Sequence, residues 1–451
     1  MMKPVLTTIA AVAALTACGD REVVVGEDYQ RVLDPLARDI DKLDVLFVID
    51  TSASMQPEQQ ALVNAAGAQL FDQLELDLGG LPDLRLAVIN TDVVLDYRGV
   101  AGCLSEDGRD NGRFRIGTRV AGCPAIDGHY LVDEDDGAGG RRRNYEGSLA
   151  EAFACAASLE IGSGCGFEHP LEAARRAFDG RYPEQLEFLR SEAMLLVVFI
   201  TDEDDCSASS GELFGDASGG LDSPLGPRDS FRCFEFGVVC DDDQPRVFGE
   251  KSGCRPREDS PYLTPIETYR AFLAGLKPDP SLVMVTGMYA PPTPVVVGQD
   301  PAVTARPGTP AVLANCTAPA TEVEATPAIR LDALVQQFPS RFVFESMCES
   351  EMSQRLYRIA RSTAGVMSRS PCLLGNVDIT TTTERCRAFD VAPDGSQRVL
   401  SGCRTTSEQG CFHVGPSQSC GYTPHGVAAR YRGTLADGHR LVVDCLAPVG
   451  R

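Results

Sequence analysis

Residues 45–55 are Val-Leu-Phe-Val-Ile-Asp-Thr-Ser-Ala-Ser-Met, an apolar run that leads directly into Asp50, Ser52 and Ser54. A continuous apolar run bounded by polar turn residues is typical of a central parallel strand that is buried on both faces. The carboxyl end of such a strand lies at the crevice where open α/β sheets bind ligands. The stretch therefore predicts both the class of fold and the position of a functional site.

The polar residues that end this run form a D-x-S-x-S cluster of hard oxygen ligands. One carboxylate and two hydroxyls at alternating positions of a loop can point at a common centre, and Mg²⁺ prefers such oxygens in an octahedral shell. The loop cannot fill six positions by itself, so ligands from other loops are expected. A plain polar cluster that caps the following helix would have the same composition, so the motif alone does not prove a metal site.

Apolar and helical patterns alternate along the next three hundred residues. Strict apolar runs predict strands, and apolar residues spaced three or four apart predict helices. This alternation favours a doubly wound, mainly parallel α/β sheet. Strands are predicted at 84–90, 194–201, 282–289 and 342–344, and helices at 57–74, from 149, from 170, from a capping box at 264–267, at 331–338 and from 352.

Three segments interrupt the pattern and are predicted to be insertions, at about 93–145, 203–260 and 291–327. The acidic run at 133–137 in the first of them lacks the ligand spacing of a dedicated calcium loop, which favours a solvated loop. From residue 366 to residue 451 the chain has short β-like runs and many cysteines. This part is predicted to be a small, Cys-rich β-type appendage to a main domain that covers 42–365.

The first eighteen residues indicate export. They have a basic start at Lys3, an apolar stretch at 4–15 and then Leu15-Thr16-Ala17-Cys18. The apolar stretch is too short to span a bilayer as a helix. It resembles the lipobox of bacterial lipoproteins, which implies that Cys18 is acylated, that 19–41 is a tether and that the protein is anchored in the cell envelope, at the outer membrane or the periplasmic face. The alternative is an ordinary signal peptide with a chance cysteine.

Cysteine usage agrees with export. The chain has 17 cysteines, and sixteen remain when Cys18 is set aside, with no C-x-x-C pair among them. This pattern favours a disulfide framework formed in an oxidising compartment. Connectivity does not follow from the sequence, although short loops would be closed by Cys103 with Cys123, Cys155 with Cys165, and Cys233 with Cys240 or Cys254.

The charge balance and the missing motifs narrow the functional classes. With 41 basic and 64 acidic residues the net charge is −23, which disfavours nucleic acid as a partner. The five histidines share no metal-ligand spacing, and no G-x-S-x-G nucleophile motif is present. The glycine-rich stretch 137–140 is followed by arginines rather than by Lys-Ser, which disfavours a phosphate-binding loop. The sequence thus predicts no catalytic residues and favours a binding protein over an enzyme.

A strand that ends in D-x-S-x-S, together with a second central strand that ends in Thr201-Asp202, resembles the von Willebrand factor type A domain. That family builds a metal-ion-dependent adhesion site from one Asp and two Ser of a first loop, a Thr of a second loop and an Asp of a third. Asp50, Ser52 and Ser54 match the first loop, and Asp202 matches the third. Where the family often continues with glycine, this chain has Glu203.

The second loop matches less well. Its best substitute for the family's threonine is Ser163, within Gly162-Ser163-Gly164, because serine offers the same hydroxyl oxygen. The stretches at 165–168 and 201–207 resemble secreted lipoprotein members of the family of the myxobacterial type. Residues 203–205 would supply either a second cation site or, as the pattern favours, a solvated acidic turn.

The resemblance implies binding rather than turnover. A site of this kind holds Mg²⁺, with Ca²⁺ and Mn²⁺ as alternatives, and leaves one coordination position for a carboxylate of a protein ligand. The expected function is therefore metal-dependent protein binding by a lipid-anchored envelope protein. Two alternatives stay open. One is a structural or assembly protein in which any metal is incidental, and the other is an exported hydrolase whose site lies in the insertions or the C-terminal region.

Overall fold

A computed structural model describes residues 29–36, 39–95, 111–115, 123, 125–162, 166–215, 219–299, 307–338, 340–374, 385–405 and 407–446. The helices are α1 (Gln56–Ala66), α2 (Asp72–Leu78), α3 (Leu149–Ala157), α4 (Pro170–Phe178), α5 (Pro183–Leu186), α6 (Phe231–Gly237), α7 (Ile266–Ala274), α8 (Ile329–Val335) and α9 (Met352–Met367). No helix in this part of the chain is long and apolar enough to cross a bilayer.

The strands are β1 (Tyr29–Leu33), β2 (Lys42–Ile49), β3 (Asp83–Asn90), β4 (Leu131–Asp135), β5 (Arg141–Arg143), β6 (Met194–Ile200), β7 (Val238–Val239), β8 (Gly249–Lys251), β9 (Arg255–Pro256), β10 (Val283–Tyr289), β11 (Val295–Gln299), β12 (Pro310–Val312), β13 (Cys316–Thr317), β14 (Glu324–Ala325), β15 (Phe342–Ser346), β16 (Cys386–Val391), β17 (Gln397–Leu400), β18 (Cys411–Pro416), β19 (Val427–Arg432) and β20 (Arg440–Leu446).

The central sheet has the strand order β15-β10-β6-β2-β3-β4-β5. The five strands from β15 to β3 run parallel, and β4 and β5 add an antiparallel edge. The chain passes from β2 to β3 on one side and then crosses to β6 on the other side of β2. The strand order therefore reverses between β2 and β6, which is the point at which doubly wound sheets bind ligands. The predicted doubly wound, mainly parallel sheet is confirmed.

Two helical layers cover the sheet, because alternate residues of its buried strands point to opposite faces. On β2, Val45, Phe47 and Ile49 pack under α1, α3 and α9, and the ring centroids of Phe47 and Phe153 lie 4.9 Å apart. Leu46 and Val48 point to the other core, under α4, α7 and α8. Both faces of β2 are thus buried, as its apolar run predicts.

The helix predicted at 57–74 begins and ends differently in the structure. It is divided into α1, a π-helical turn at Gly67–Phe71 and α2. At Gly67 a Cβ atom would lie only 2.8 Å from the Cβ of Ala150, so the close approach of this helix to α3 requires glycine. The predicted capping box at 264–267 is wrong, because Pro265 is the N-cap of α7 and no side chain caps that end.

Residues 131–143 form a β-hairpin, so Asp133 and Glu134 lie buried on a strand rather than in the predicted solvated loop, whereas residues 135–137 are exposed. Asp133 accepts hydrogen bonds from Arg141 and Arg143 on the opposite strand, at 2.6 and 3.1 Å. Glu134 pairs with Arg142 and, at 2.8 Å, with Arg85 on the neighbouring strand β3. Because cross-strand pairs neutralise the acidic run, it can form a sheet edge that its composition does not suggest.

Seven disulfides lie within the described residues, which confirms a disulfide-rich chain. The suggested short-loop pairings are wrong, since Cys123 pairs with Cys155 and Cys233 pairs with Cys206. Cys18, Cys103 and Cys165 lie outside the described residues. The disulfides are Cys123–Cys155, Cys206–Cys233, Cys240–Cys254, Cys316–Cys348, Cys372–Cys420, Cys386–Cys445 and Cys403–Cys411.

Among the described residues, a four-stranded sheet, a three-stranded sheet and three two-stranded sheets lie outside the central sheet. β8, β11 and β12 form one sheet, which draws on two of the predicted insertions. At the C-terminal end of the chain, β16, β17 and β20 form a sheet together with β1. In that sheet Tyr29 pairs with Leu446, so part of the segment predicted as a tether is a strand. The predicted domain boundaries otherwise stay predictions.

A buried ion cluster lies near the amino ends of the parallel strands. Lys277 Nζ lies 2.8 Å from the Asp44 carboxylate, and both side chains are fully buried. Arg190 reaches the same carboxylate at 2.8 Å. One anion thus holds two cations, and the cluster ties β2 to the loops that follow α5 and α7.

We expect Asp44→Ala to lower the free energy of unfolding by about 3–5 kcal/mol, because it leaves the ammonium of Lys277 buried without its anion. Glu192→Ala is the matched control. Glu192 is an exposed acid paired with Lys42 at 2.9 Å, and its loss should cost at most about 1 kcal/mol. Urea unfolding with the disulfides intact measures both, and equal losses would contradict the role given to the buried cluster.

Candidate metal centre

The candidate site lies where β2 and β6 end side by side. Ile49 and Ile200 are register partners in these parallel strands, and the backbone N–H of Asp50 donates to the carbonyl of Ile200 at 2.9 Å. Asp50 and the Thr201-Asp202 pair therefore emerge next to each other. The sequence predicted this meeting from two separate apolar runs, and the structure brings the two loops together.

Asp50 is the buried centre of the site, with no exposed surface. The backbone N–H of Ser52 donates to its Oδ1 at 2.7 Å, and the Thr201 hydroxyl donates to its Oδ2 at 2.7 Å. Thr201 also accepts a hydrogen bond from the backbone N–H of Glu203 at 3.1 Å. These bonds hold the carboxylate in one orientation and link the first loop to the third.

Ser52 and Ser54 form the outer rim of the site. Ser52 is half-buried and Ser54 is exposed, and their hydroxyl oxygens lie 3.1 Å apart. The 3₁₀ turn at Ala53–Met55 produces this proximity, because it bends the chain at the point where the strand ends and α1 begins. Two hydroxyls at the surface therefore lie above a buried carboxylate.

Asp202 has an oxygen without a donor. Its side chain is buried, and its Oδ1 has no hydrogen-bond partner within the described residues. The hydroxyl oxygen of Thr51, also buried, has none either. Native proteins satisfy nearly all such atoms, so each exception calls for an explanation such as an ion or a water.

The pKa shifts of the two aspartates also indicate that the site lacks a compensating positive charge. Burial and the neighbouring charge of Asp50 raise the pKa of Asp202 to about 7, although a hydrogen bond from Ser54 opposes this. Burial also raises the pKa of Asp50, and its hydrogen bonds from Ser52 and Thr201 offset only part of the effect. Within the described part of the chain neither carboxylate forms an ion pair with a basic side chain. Two buried acids thus share a space that holds no counter-charge.

Two further acids lie close by. Glu168 is buried and accepts a hydrogen bond from the Thr91 hydroxyl, and burial together with the charge of Asp50 raises its pKa well above the usual range. Burial, followed by the charges of Asp202 and Asp50, raises the pKa of Glu203 to about 8. Glu168 is not among the ligands predicted from the sequence. The available signal was Asn90-Thr91-Asp92, polar residues that end β3 beside β2.

The other predicted residues have different outcomes. Ser163, the candidate second-loop ligand, lies outside the described residues. Asp204 accepts hydrogen bonds from the backbone N–H groups of Arg330 and Leu331, at 2.9 and 3.1 Å, at the start of α8. Asp205 is bound by Arg330 Nε at 3.1 Å and by the backbone N–H of Leu171 at 3.2 Å. Neither is part of a solvated turn or a second cation site, because helix ends and an arginine satisfy both.

The donor set fits a single hard cation. Two carboxylates and two hydroxyls from two loops provide oxygens of the type that Mg²⁺ prefers, and the orphan oxygen of Asp202 is one that an ion would satisfy. No group of three or more His, Cys, Asp or Glu side chains among the described residues is arranged to hold an ion. A site here would therefore depend on hydroxyl oxygens and water as well as on acids.

Comparison with known proteins gives only distant likenesses. No protein-family model matches the chain, and no curated protein matches its sequence. A von Willebrand factor type A protein from Catenulispora acidiphila is 11% identical, with a TM-score of 0.28, over 94% of this chain and 66% of that protein. The pilus adhesin SpaC from Lactobacillus rhamnosus GG is 10% identical, with a TM-score of 0.32, over 92% and 40%.

Human COPII-coat protein Sec24c is 9% identical, with a TM-score of 0.27, over 92% of this chain and 44% of that protein. The chain thus spans less than two thirds of each of these proteins. Sequence identities near 10% and TM-scores near 0.3 are too low to assign a function to this chain. Membership of the von Willebrand factor type A family therefore stays a prediction.

The raised pKa of Asp202 predicts how stability depends on pH. An aspartate with a pKa near 3.9 when unfolded and about 7 when folded binds more protons in the native state between these values. The free energy of unfolding should therefore fall as the pH rises from 4 toward 7. In Asp202→Asn we expect this fall to be smaller by about 1–3 kcal/mol.

Urea unfolding at a series of pH values in EDTA measures the difference. Asp222→Asn, at an exposed position, is the control and should leave the profile unchanged. A profile of Asp202→Asn that matches the wild type would show that Asp202 does not gain its proton on folding.

Proposed function

We propose that this chain is a metal-dependent protein-binding protein, with its binding site at the ends of β2 and β6. The observation that carries the proposal is the pairing of Asp50 and Asp202, two buried carboxylates at the switch point of the sheet. Within the described residues neither has a basic partner, and one oxygen of Asp202 has no donor. Burying two acids together costs free energy unless a cation offsets it. A divalent ion is the simplest compensation.

In this proposal Asp50 and Asp202 supply the negative charge, and Ser52 and Ser54 supply neutral oxygens at the rim. Ser163 would complete the set from the second loop. Mg²⁺ is the proposed ion, with Ca²⁺ and Mn²⁺ as alternatives, and its role when bound is to attract an anionic group of the ligand. Thr201 positions Asp50 through the 2.7 Å hydrogen bond rather than contacting the ion.

The proposed ligand is a protein that presents a carboxylate. The exposed position of Ser54 leaves the outer side of the site open, so a side chain of another protein can approach. The net charge of −23 repels anions at long range, so a carboxylate would bind only where a cation holds it at short range. Binding should therefore depend strictly on the metal.

We also propose that the protein acts at the bacterial cell envelope, anchored by lipid on Cys18. The seven disulfides support export to an oxidising compartment, since such bridges rarely persist in the cytosol. The lipobox resemblance is the only support for the anchor itself.

Metal binding can be tested directly with Mn²⁺ as the probe. The full chain should bind about one equivalent in isothermal titration, and Mg²⁺ should compete for it. In Asp50→Asn the affinity should fall by at least roughly tenfold, because the ion loses a charged ligand that is already held in place. Asp222→Asn is the exposed control. Equal affinities in the two variants would refute the site.

Partner binding is tested by capture from an envelope extract. Capture in Mg²⁺ should be lost in EDTA and in Asp50→Asn, and kept in Asp222→Asn. Capture that survives both EDTA and the Asp50 variant would instead favour the structural or assembly role, in which the metal is incidental.

The anchor is tested by Cys18→Ser. Metabolic labelling with radioactive palmitate should mark the wild-type protein and not the variant, and the variant should move from the membrane fraction to the soluble fraction. Equal labelling would show that Cys18 is not acylated.

A further inference from the structure

A second site candidate is a cleft of about 710 Å³ at the far edge of the central sheet, well within the size range of ligand sites. Phe342 and Phe344 of β15 line one side of it. Gln30 of β1 and Tyr422 of the C-terminal region line it from the other side. We call this space the β15 cleft.

One wall of the β15 cleft is an open strand edge. β15 is the outermost strand of the central sheet, and no described strand pairs with its outer side. The carbonyl of Arg341 and the backbone N–H of Met347 bond to β10, at 2.8 and 3.1 Å. Since successive residues of a parallel strand alternate between its two sides, Phe342 and Phe344 direct their backbone N–H and C=O groups into the cleft. Such an edge is a template for another extended segment.

The charged lining of the cleft is predominantly acidic. Asp332, Glu345 and Glu349 lie on it, and Arg358 is the arginine among its lining residues. Arg358 is already engaged, because its Nε donates to Glu345 at 2.6 Å. Glu349 is exposed at the surface. A ligand that enters the cleft therefore meets more negative charge than Arg358 can neutralise.

The buried acids of the cleft are also incompletely compensated. Burial raises the pKa of Asp332 to about 6, although Tyr289 and Gln336 donate hydrogen bonds to it. Burial raises the pKa of Glu345 to about 7 in spite of its bond to Arg358. A cation placed beside these groups would offset part of their desolvation cost.

We infer that the β15 cleft binds an extended, cationic peptide segment of another protein. The backbone of the segment would pair with the open edge of β15, and an arginine or lysine side chain would lie beside Glu345 and Glu349. Strand addition gives affinity through main-chain hydrogen bonds, and pockets for alternate side chains give specificity. The charge of the pocket and the net charge of −23 select a basic ligand over an acidic one.

This inference does not depend on the metal centre, which lies on β2 and β6 rather than on β15. Binding in the cleft should therefore be unaffected by EDTA. Insensitivity to EDTA therefore separates a failure of the cleft proposal from a failure of the metal-site proposal.

The test uses the full chain and a fluorescein-labelled hexapeptide of alternating valine and arginine, followed by fluorescence anisotropy. We expect saturable binding of one peptide per chain, in EDTA as well as in Mg²⁺. The same peptide with glutamate in place of arginine should not bind, and N-methylation of alternate amides should abolish binding because it removes the main-chain donors.

Two variants test whether the peptide binds in the cleft. Glu349→Gln, at an exposed position, should weaken binding by roughly tenfold, and Glu345→Gln should weaken it further. Glu146→Gln, an exposed acid beyond the opposite edge of the sheet, is the matched control and should bind like the wild type. The inference is overturned if Glu349→Gln and Glu146→Gln bind equally, if the glutamate peptide binds as well as the arginine peptide, or if EDTA abolishes binding.

Discussion

The register between β2 and β6 is the constraint on which the rest of the candidate metal centre depends. It pairs Ile49 with Ile200, so that Asp50 leaves the sheet beside Thr201 and Asp202 follows one residue later. Each aspartate would be an ordinary end-of-strand residue alone. Together, under a rim of hydroxyls, they form a pair of buried acids that has no basic partner among the described residues. The buried strands hold this arrangement rigidly, because both cores would have to shift before the two loops could move apart.

The parts of this arrangement that the sequence predicted are those that local pattern controls. β2, β6 and β10 are buried on both faces, so each contains an apolar run: residues 45–49 in β2, all of β6, and residues 283–285 in β10. The polar residues that follow them mark one edge of the sheet, since parallel strands point the same way. Asp50, Ser52 and Ser54 could be named for that reason, and Asp202 from the family resemblance.

Features that depend on tertiary pairing could not be predicted in this way. The hairpin at 131–143 could not be recognised from its sequence because its strands are highly charged. These charges are neutralised by residues on neighbouring strands. Glu168 matches none of the ligand positions that the family resemblance implies, and it reaches the site because Thr91, at the end of another strand, donates a hydrogen bond to it. Cysteine spacing favoured short loops, whereas Cys155 pairs with Cys123, 32 residues away. The second-loop ligand Ser163 stays a prediction.

The pairing of β1 with β20 determines how the molecule bears mechanical load. β1 precedes β2 in the chain, and Ile40, just before β2, donates its backbone N–H to the carbonyl of Met367 at 3.1 Å. A pull applied upstream of Tyr29 would pass along β1, where its hydrogen bonds to β20 resist sliding, and then along the axis of β2. The first strand of the central sheet to carry this tension is thus β2, and Asp50 follows directly at its carboxyl end.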